Sequence, residues 1–190
     1  MLLLGVVQAQ ASGGVAGAGS YDLLATEILS STQASVTFSS LGDYAADYQH
    51  LQIRWVGGNT NVSTDIDNVK ITFNGDTGSN YARHRLLGTG SSVLSLASSS
   101  GNYAYGGIVT RGSSVAHAAN VIDLLDPFET SKYLTIRTLF GATNSSQNMV
   151  GINSGLWMNT ASLTSFSMQA ESVDSFRAGS RFSLYGLRSA

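Results

Sequence analysis

The sequence predicts an all-β fold, an antiparallel β-sandwich of jelly-roll type led by an extended N-terminal arm. Three observations carry this expectation. Short segments alternate apolar and polar residues, most clearly Leu51, Ile53 and Trp55 against Gln52 and Arg54. Alternation of this kind marks a strand with one packed face and one wet face. Gly, Asn and Ser punctuate these segments at roughly 10–20-residue intervals, and a sustained helical period is nearly absent.

Taken in order, the same reading covers Val36 and Phe38 around Thr37, then the Leu51–Trp55 run, then Val69, Ile71 and Phe73. It continues through Leu134 and Ile136, Phe166 and Met168, and Phe182 and Leu184. The β-branched and aromatic content of these runs suits a pleated, half-buried surface. The best helical candidate is one short turn, "GDYAADYQ", before Leu51. A bend follows at "LDPFETSK", where Pro127, the single proline, fixes its own φ and disfavours helix just before it. Ten or so short strands with short connections predict a sandwich, with a barrel or β-helix as alternatives. No period recurs, which disfavours a solenoid or propeller. Residues 88–102, "GTGSSVLSLASSSGN", and 141–147, "GATNSSQ", read as surface loops. The one composition shift divides an arm and hinge at 1–20 from a sandwich domain at 21–190.

Composition narrows the function. Of 190 residues, 43% are hydrophobic and only 12% charged, with Gly, Ser, Thr and Asn in the place of charge. Such a neutral, hydrogen-bonding surface suits extensive contact with neighbouring subunits. The net charge of −2 and scattered Lys and Arg give no basic patch for nucleic acid. Cysteine is absent, which removes disulfides, thiolate nucleophiles and Cys-type zinc sites. No apolar run approaches the ~20 residues of a membrane-spanning helix.

Catalytic patterns are weak. Serine is abundant and His50, His84 and His117 are present, but the G-x-S-x-G elbow is missing. His50 reads as the first residue of a strand and His84 as part of a solvated face between two arginines. "FNGDTGSNY" gathers Asn74, Asp76 and Asn80, yet departs from the EF-hand spacing, and Asn-Gly favours a tight turn. Asp65 and Asp67 keep a weak divalent-cation site with Asp76 open as an alternative. Asp123, Asp126 and Glu129 surround the Pro127 bend without implying facing glycosidase carboxylates, and Asp126 reads as its cap. Tyr103, Tyr105 and Trp157 are candidates for a sugar platform, although Leu156 and Met158 favour packing for Trp157. No catalytic residue, metal ligand or cofactor site is assigned. The sequons at Asn61 and Asn144 matter only in a secreted eukaryotic chain.

Five ordered segments carry a resemblance: "YQHLQIRWVG", "VKITFNGDTGSNYARHRLLG", "ANVIDLLDPFETSKYLTIRTLFG", "GLWMNTASLTSFSM" and "GSRFSLYGLRSA". Together they resemble a group of tailed-bacteriophage virion proteins, many from marine or cyanobacterial phages, variously labelled as tail, fibre or head-decoration proteins. The resemblance runs from about residue 20 to the C-terminus. It implies a non-enzymatic β-sandwich, commonly a homotrimer, that assembles on a virus particle beside the major capsid protein or another virion subunit. The leading expectation is a capsid decoration (cement) protein on the capsid exterior. A tail-fibre or receptor-binding module touching host glycan or protein through 88–102 and 141–147 is the alternative, and a polysaccharide hydrolase a distant third. Tyr81, Leu86 and Leu87 are candidates for outward-facing subunit contacts.

The opening "MLLLGVVQAQASGGVAGAGS" has an A-x-A-like site but no basic n-region, and its apolar run is shorter than a signal peptide requires. Leu2, Leu3, Leu4, Val6 and Val7 therefore read as a strand-competent assembly arm, and the glycines after them as a hinge. An arm of this type can add a strand to another sheet.

Overall fold

The computed structural model describes residues 21–60, 65–111, 117–143, 147–172 and 174–188. The assembly arm, both sequons and residues 144–146 of the 141–147 stretch lie outside those residues. The described residues form twelve strands and one short turn of 3₁₀ helix. In chain order these are β1 (Asp22–Ile28), β2 (Ser35–Phe38), the 3₁₀ turn (Leu41–Tyr44), β3 (His50–Gly57), β4 (Ile66–Phe73), β5 (Tyr81–Gly88) and β6 (Val93–Gly101). They continue with β7 (Ala104–Thr110), β8 (Ala118–Leu125), β9 (Leu134–Thr143), β10 (Asn148–Trp157), β11 (Phe166–Ala170) and β12 (Arg181–Leu187).

Two antiparallel sheets pack face to face. The larger has eight strands in the order β1-β12-β3-β8-β9-β10-β5-β6, and the smaller has four, β2-β11-β4-β7. With β1, β12 and the β9–β10 hairpin set aside, eight strands remain. The small sheet then holds the first, eighth, third and sixth of them, and the large sheet the second, seventh, fourth and fifth. That is the order of a jelly roll, whose connections cross repeatedly between sheets. The inserted hairpin widens the large sheet between β8 and β5.

The predicted alternation sets the core. Leu51, Ile53 and Trp55 point inward from β3, Val69, Ile71 and Phe73 from β4, and Phe166 and Met168 from β11, all buried. Trp55 stacks on Phe182 at 5.3 Å between ring centroids and meets Phe176 edge-on at 6.0 Å. Phe73 packs against Tyr81 and Trp157 at 6.2 and 5.7 Å. Such ring pairs contribute about 0.5–1.5 kcal/mol each beyond the area they bury. Burial pushes the Tyr81 phenol up to about 12, and its hydroxyl donates to the carbonyl of Asp76 at 2.8 Å.

A polar device crosses this core. The β4–β7 register shifts between Val69 and Lys70, leaving Gly106 as an unpaired bulge residue on β7. Gly107 next to it has φ +116°, a conformation that L side chains rarely adopt. Three adjacent strands of the large sheet reach over to hold this bulge. The Trp55 indole N–H donates to the carbonyl of Gly106 at 2.9 Å, and the Thr138 hydroxyl donates to that of Tyr105 at 2.9 Å. Asn120 accepts from the Ile108 N–H at 2.8 Å and donates to the Ile108 carbonyl at 3.0 Å, as a strand backbone would.

Three expectations change. Residues 93–101 are not a loop but the edge strand β6, paired with β5 along its length. β6 shows no alternation because neither of its faces is packed: eight of its nine residues are exposed or half-exposed. Tyr81 and Leu87 point into the core rather than outward, while Leu86 is exposed as expected. The reason lies on β5, where Arg83 and Arg85 share the inward face with Tyr81 and Leu87, which inverts the apparent pattern. Finally, "GDYAADYQ" contributes only the end of a 3₁₀ turn beginning at Leu41.

Candidate assembly surfaces

Register across the large sheet places outward residues of successive strands abreast. One row runs Val56, Ala119, Gly141 and Val150, and the next runs Arg54, Val121, Leu139, Ile152 and Leu86. These rows are mostly apolar and open: Leu139 is 55% and Val150 60% exposed. A shallow groove of about 550 Å³ lies along them, floored by Ala119, Val121 and Gly141 and flanked by Val56, Leu139 and Val150. Its charged border is Arg181 and Arg54, the latter with its guanidinium between the Tyr21 and Tyr185 rings at 5.0 and 4.9 Å.

One row further along, the face turns polar with Gln52, Asp123, Arg137, Ser154 and His84. Asp123 accepts from Gln52 at 2.7 Å and from Arg137 at 2.7 and 2.9 Å. Gln52 in turn accepts from Arg54 Nε at 2.6 Å. The sheet face is therefore divided along the strand direction into an apolar half and a hydrogen-bonded half.

Beneath β5, two arginines lie on tyrosine rings. Arg83 sits 4.1 and 4.5 Å from the Tyr103 and Tyr105 ring centroids, and Arg85 sits 3.8 Å from Tyr105. Stacking on an aromatic face replaces part of the hydration a buried cation loses. Arg85 Nε also donates to Asn153 at 3.1 Å, and desolvation draws its pKa down. Burial pushes the Tyr103 phenol up to about 12, reinforced by its hydrogen bond to Glu171.

The other candidate residues have local structural partners. His50 begins β3 and stands 3.1 Å from the Asp126 carboxylate. His84 is exposed, with Nε2 3.2 Å from the Ser95 hydroxyl, and its neighbours Arg83 and Arg85 turn to the opposite face. Asp126 takes φ +48° before Pro127; its carboxylate binds the Lys132 and Gln49 side chains rather than a backbone N–H of the bend, and its carbonyl accepts from the Glu129 N–H at 3.2 Å. Lys132 chiefly, with Gln49 and His50, holds its carboxyl below the usual range. Trp157 is core, not a platform.

Asn74 and Gly75, at φ +50° and +70°, form the predicted tight turn. Asp76 beyond it accepts from the Trp157 indole at 2.7 Å and from Asn80 at 2.9 Å. Asp65 pairs with Arg111 at 2.8 Å and Asp67 accepts from the Asn68 and Ser172 amides. Those two residues stand at the start of β4 and Asp76 beyond its end, about 25 Å of extended strand away. They do not form one site, and no group of three or more His, Cys, Asp or Glu gathers among the described residues.

Asp76 yields a pH prediction. The Trp157 hydrogen bond chiefly, with those from Asn80 and Gly78, lowers its pKa in the folded state. A depressed carboxylate contributes stability that is present above its unfolded value of about 4 and lost as pH falls through the folded value. Thermal midpoints by circular dichroism should therefore drop below about pH 4. Asp76→Asn should lower the midpoint at pH 7 and flatten this acid limb; an unchanged limb would remove Asp76 as a contributor.

No protein-family model and no curated protein matches the chain.

Proposed function

We propose that the chain is a non-enzymatic phage virion structural protein that decorates the capsid exterior and cements the shell through subunit contacts. One observation carries this reading: the apolar half of the eight-stranded face, with its groove between Val56, Leu139 and Val150. A contiguous open apolar patch on an otherwise neutral, hydrogen-bonding surface is the mark of a contact face. The ordered segments resembling phage virion proteins support the same conclusion, and in this reading Leu2–Leu4, Val6 and Val7 supply a second contact. Binding to the assembled shell in preference to free subunits would stabilise it by mass action.

A second reading, a tail-fibre or receptor-binding module, draws on a groove of about 270 Å³ on the outer face of the small sheet. Lys70, Thr72, Asn102, Ser167 and Gln169 surround it beside Tyr103, which suits a hydroxyl-rich glycan.

Gold-labelled antibody against the chain on purified particles separates the two. Label over the shell, with earlier heat release of the genome from particles assembled without the chain, is the expected result. Label confined to the tail overturns the decoration reading in favour of the second. Absence of the chain from washed particles overturns both.

A further inference from the structure

Among the described residues the two sheets present four edges, and three are defended. β2 is only four residues long. β7 is clamped to the large sheet by Trp55, Asn120 and Thr138. β1 carries a bulge near Leu24, an inward-side Glu27 opposite Phe182, and Asp22, which binds Arg188 at 2.9 Å. Bulges, inward charges and short length are the devices that keep an edge from pairing with another chain.

β6 is undefended over Val93–Ser98, its register with β5 slipping only beyond that, between Ser98 and Gly101. It is nine residues long, "VLSLASSSG", with no charge, no proline and apolar side chains open on both faces. Val93 is 75% exposed on one face and Leu96 54% on the other. Alternate residues of an edge strand turn their N–H and C=O groups away from the sheet. The β6 sequence is also self-complementary. Antiparallel pairing of two β6 strands about Ser95 sets Leu94 opposite Leu96 of the second copy, and Val93 opposite its Ala97. Serines meet at the centre, and like charges meet nowhere.

We infer that β6 is a homotypic interface: two copies of this chain join edge to edge through antiparallel β6 strands centred on Ser95. The large sheets then run on as one continuous sheet of sixteen strands, twice the eight of each copy. Leu94 and Leu96 of both copies form a four-leucine cluster on the inner side. The contact is isologous, so it closes on two copies and does not propagate. This inference is independent of where in a virion, or elsewhere, the chain acts. It differs from the trimer that the family resemblance implies, and mass separates the two.

Sedimentation or light scattering of the full chain over about 1–200 μM tests it. The expected result is a concentration-dependent shift from 19.9 kDa to twice that mass. Leu96→Lys and Ala97→Lys place a charge on either face of the edge, and each should raise the dimer dissociation constant at least about tenfold. Both positions are exposed, so circular dichroism and the thermal midpoint should stay as in the parent; should one variant unfold, the other still decides. Leu139→Lys, on the outer face of β9 and three strands from the edge, should leave the dimer intact. A chain that stays monomeric throughout, forms trimers, or polymerises without limit overturns the inference. So does a dimer lost in Leu139→Lys but kept in both edge variants, which would mean packing through the sheet face.

Discussion

Trp55→Ala is expected to destabilise the sandwich by about 4 kcal/mol, among the largest effects of any single substitution in this chain. Truncating a buried tryptophan removes its transfer free energy and leaves a cavity that the core fills only partly. Here the lost ring also packs on both Phe176 and Phe182, which meet each other at 5.1 Å. A second cost comes from the carbonyl of Gly106, which loses its donor inside the core; a buried unpaired carbonyl costs about 1–3 kcal/mol. For a domain of this size the thermal midpoint should fall by roughly 8–16 °C. Trp55→Phe keeps most of the packing and loses the donor, so it should cost about half as much. Urea unfolding of the three proteins measures this. A Trp55→Ala cost under about 1 kcal/mol would show that the tryptophan does not organise the core.

Asn120→Leu is expected to cost about 3–5 kcal/mol although it adds apolar volume to an apolar interior. The Ile108 N–H and carbonyl both lose the inter-sheet partner that Asn120 supplies, and β7 loses this tie to β8. Asn120→Asp separates the two hydrogen bonds. The new carboxylate still accepts from the Ile108 N–H but faces the Ile108 carbonyl without a proton to donate. Its folded pKa is therefore raised above the unfolded value, so this variant should regain stability as pH falls and lose it as pH rises. Parent-like stability of Asn120→Leu in urea, or a pH-independent Asn120→Asp, would break the account. Gly107→Ala tests the same clamp from the other side, because a Cβ there meets the Asn120 amide while φ stays at +116°.

The sheets of this fold were largely legible in the sequence, because most strands have one packed and one wet face. Leu51, Ile53 and Trp55 are buried while Arg54 and Val56 are exposed, as period-two alternation requires. The misreadings share a cause: the strand's environment was not one-sided. β6 is wet on both faces, so its serines and leucines carry no period and resemble a loop. On β5 the inward positions include Arg83 and Arg85, which rest on Tyr103 and Tyr105. No local pattern announces that aromatic rings twenty residues away will receive a cation. The candidate contact face was illegible for a related reason. Val56, Val121, Leu139 and Val150 come from four strands, and only the strand order β3-β8-β9-β10 brings them abreast. The Asn74–Gly75 turn was legible because its chemistry is local.

The strand order also sets a clock. The last two strands to be made are the ones that complete the early ladders: β11 lies between β2 and β4, and β12 between β1 and β3. Until they arrive, β1 and β2 have no strand to pair with and one edge of β3 and of β4 stays open. From Gly57, where β3 ends, to Leu187, where β12 ends, synthesis takes roughly 6–26 s. During that interval the apolar residues of β3 and β4 face the cell with at most one of their two neighbours in place. The chain is thus committed to finishing its translation before either sheet can close, and its yield depends on how well that waiting segment is sheltered.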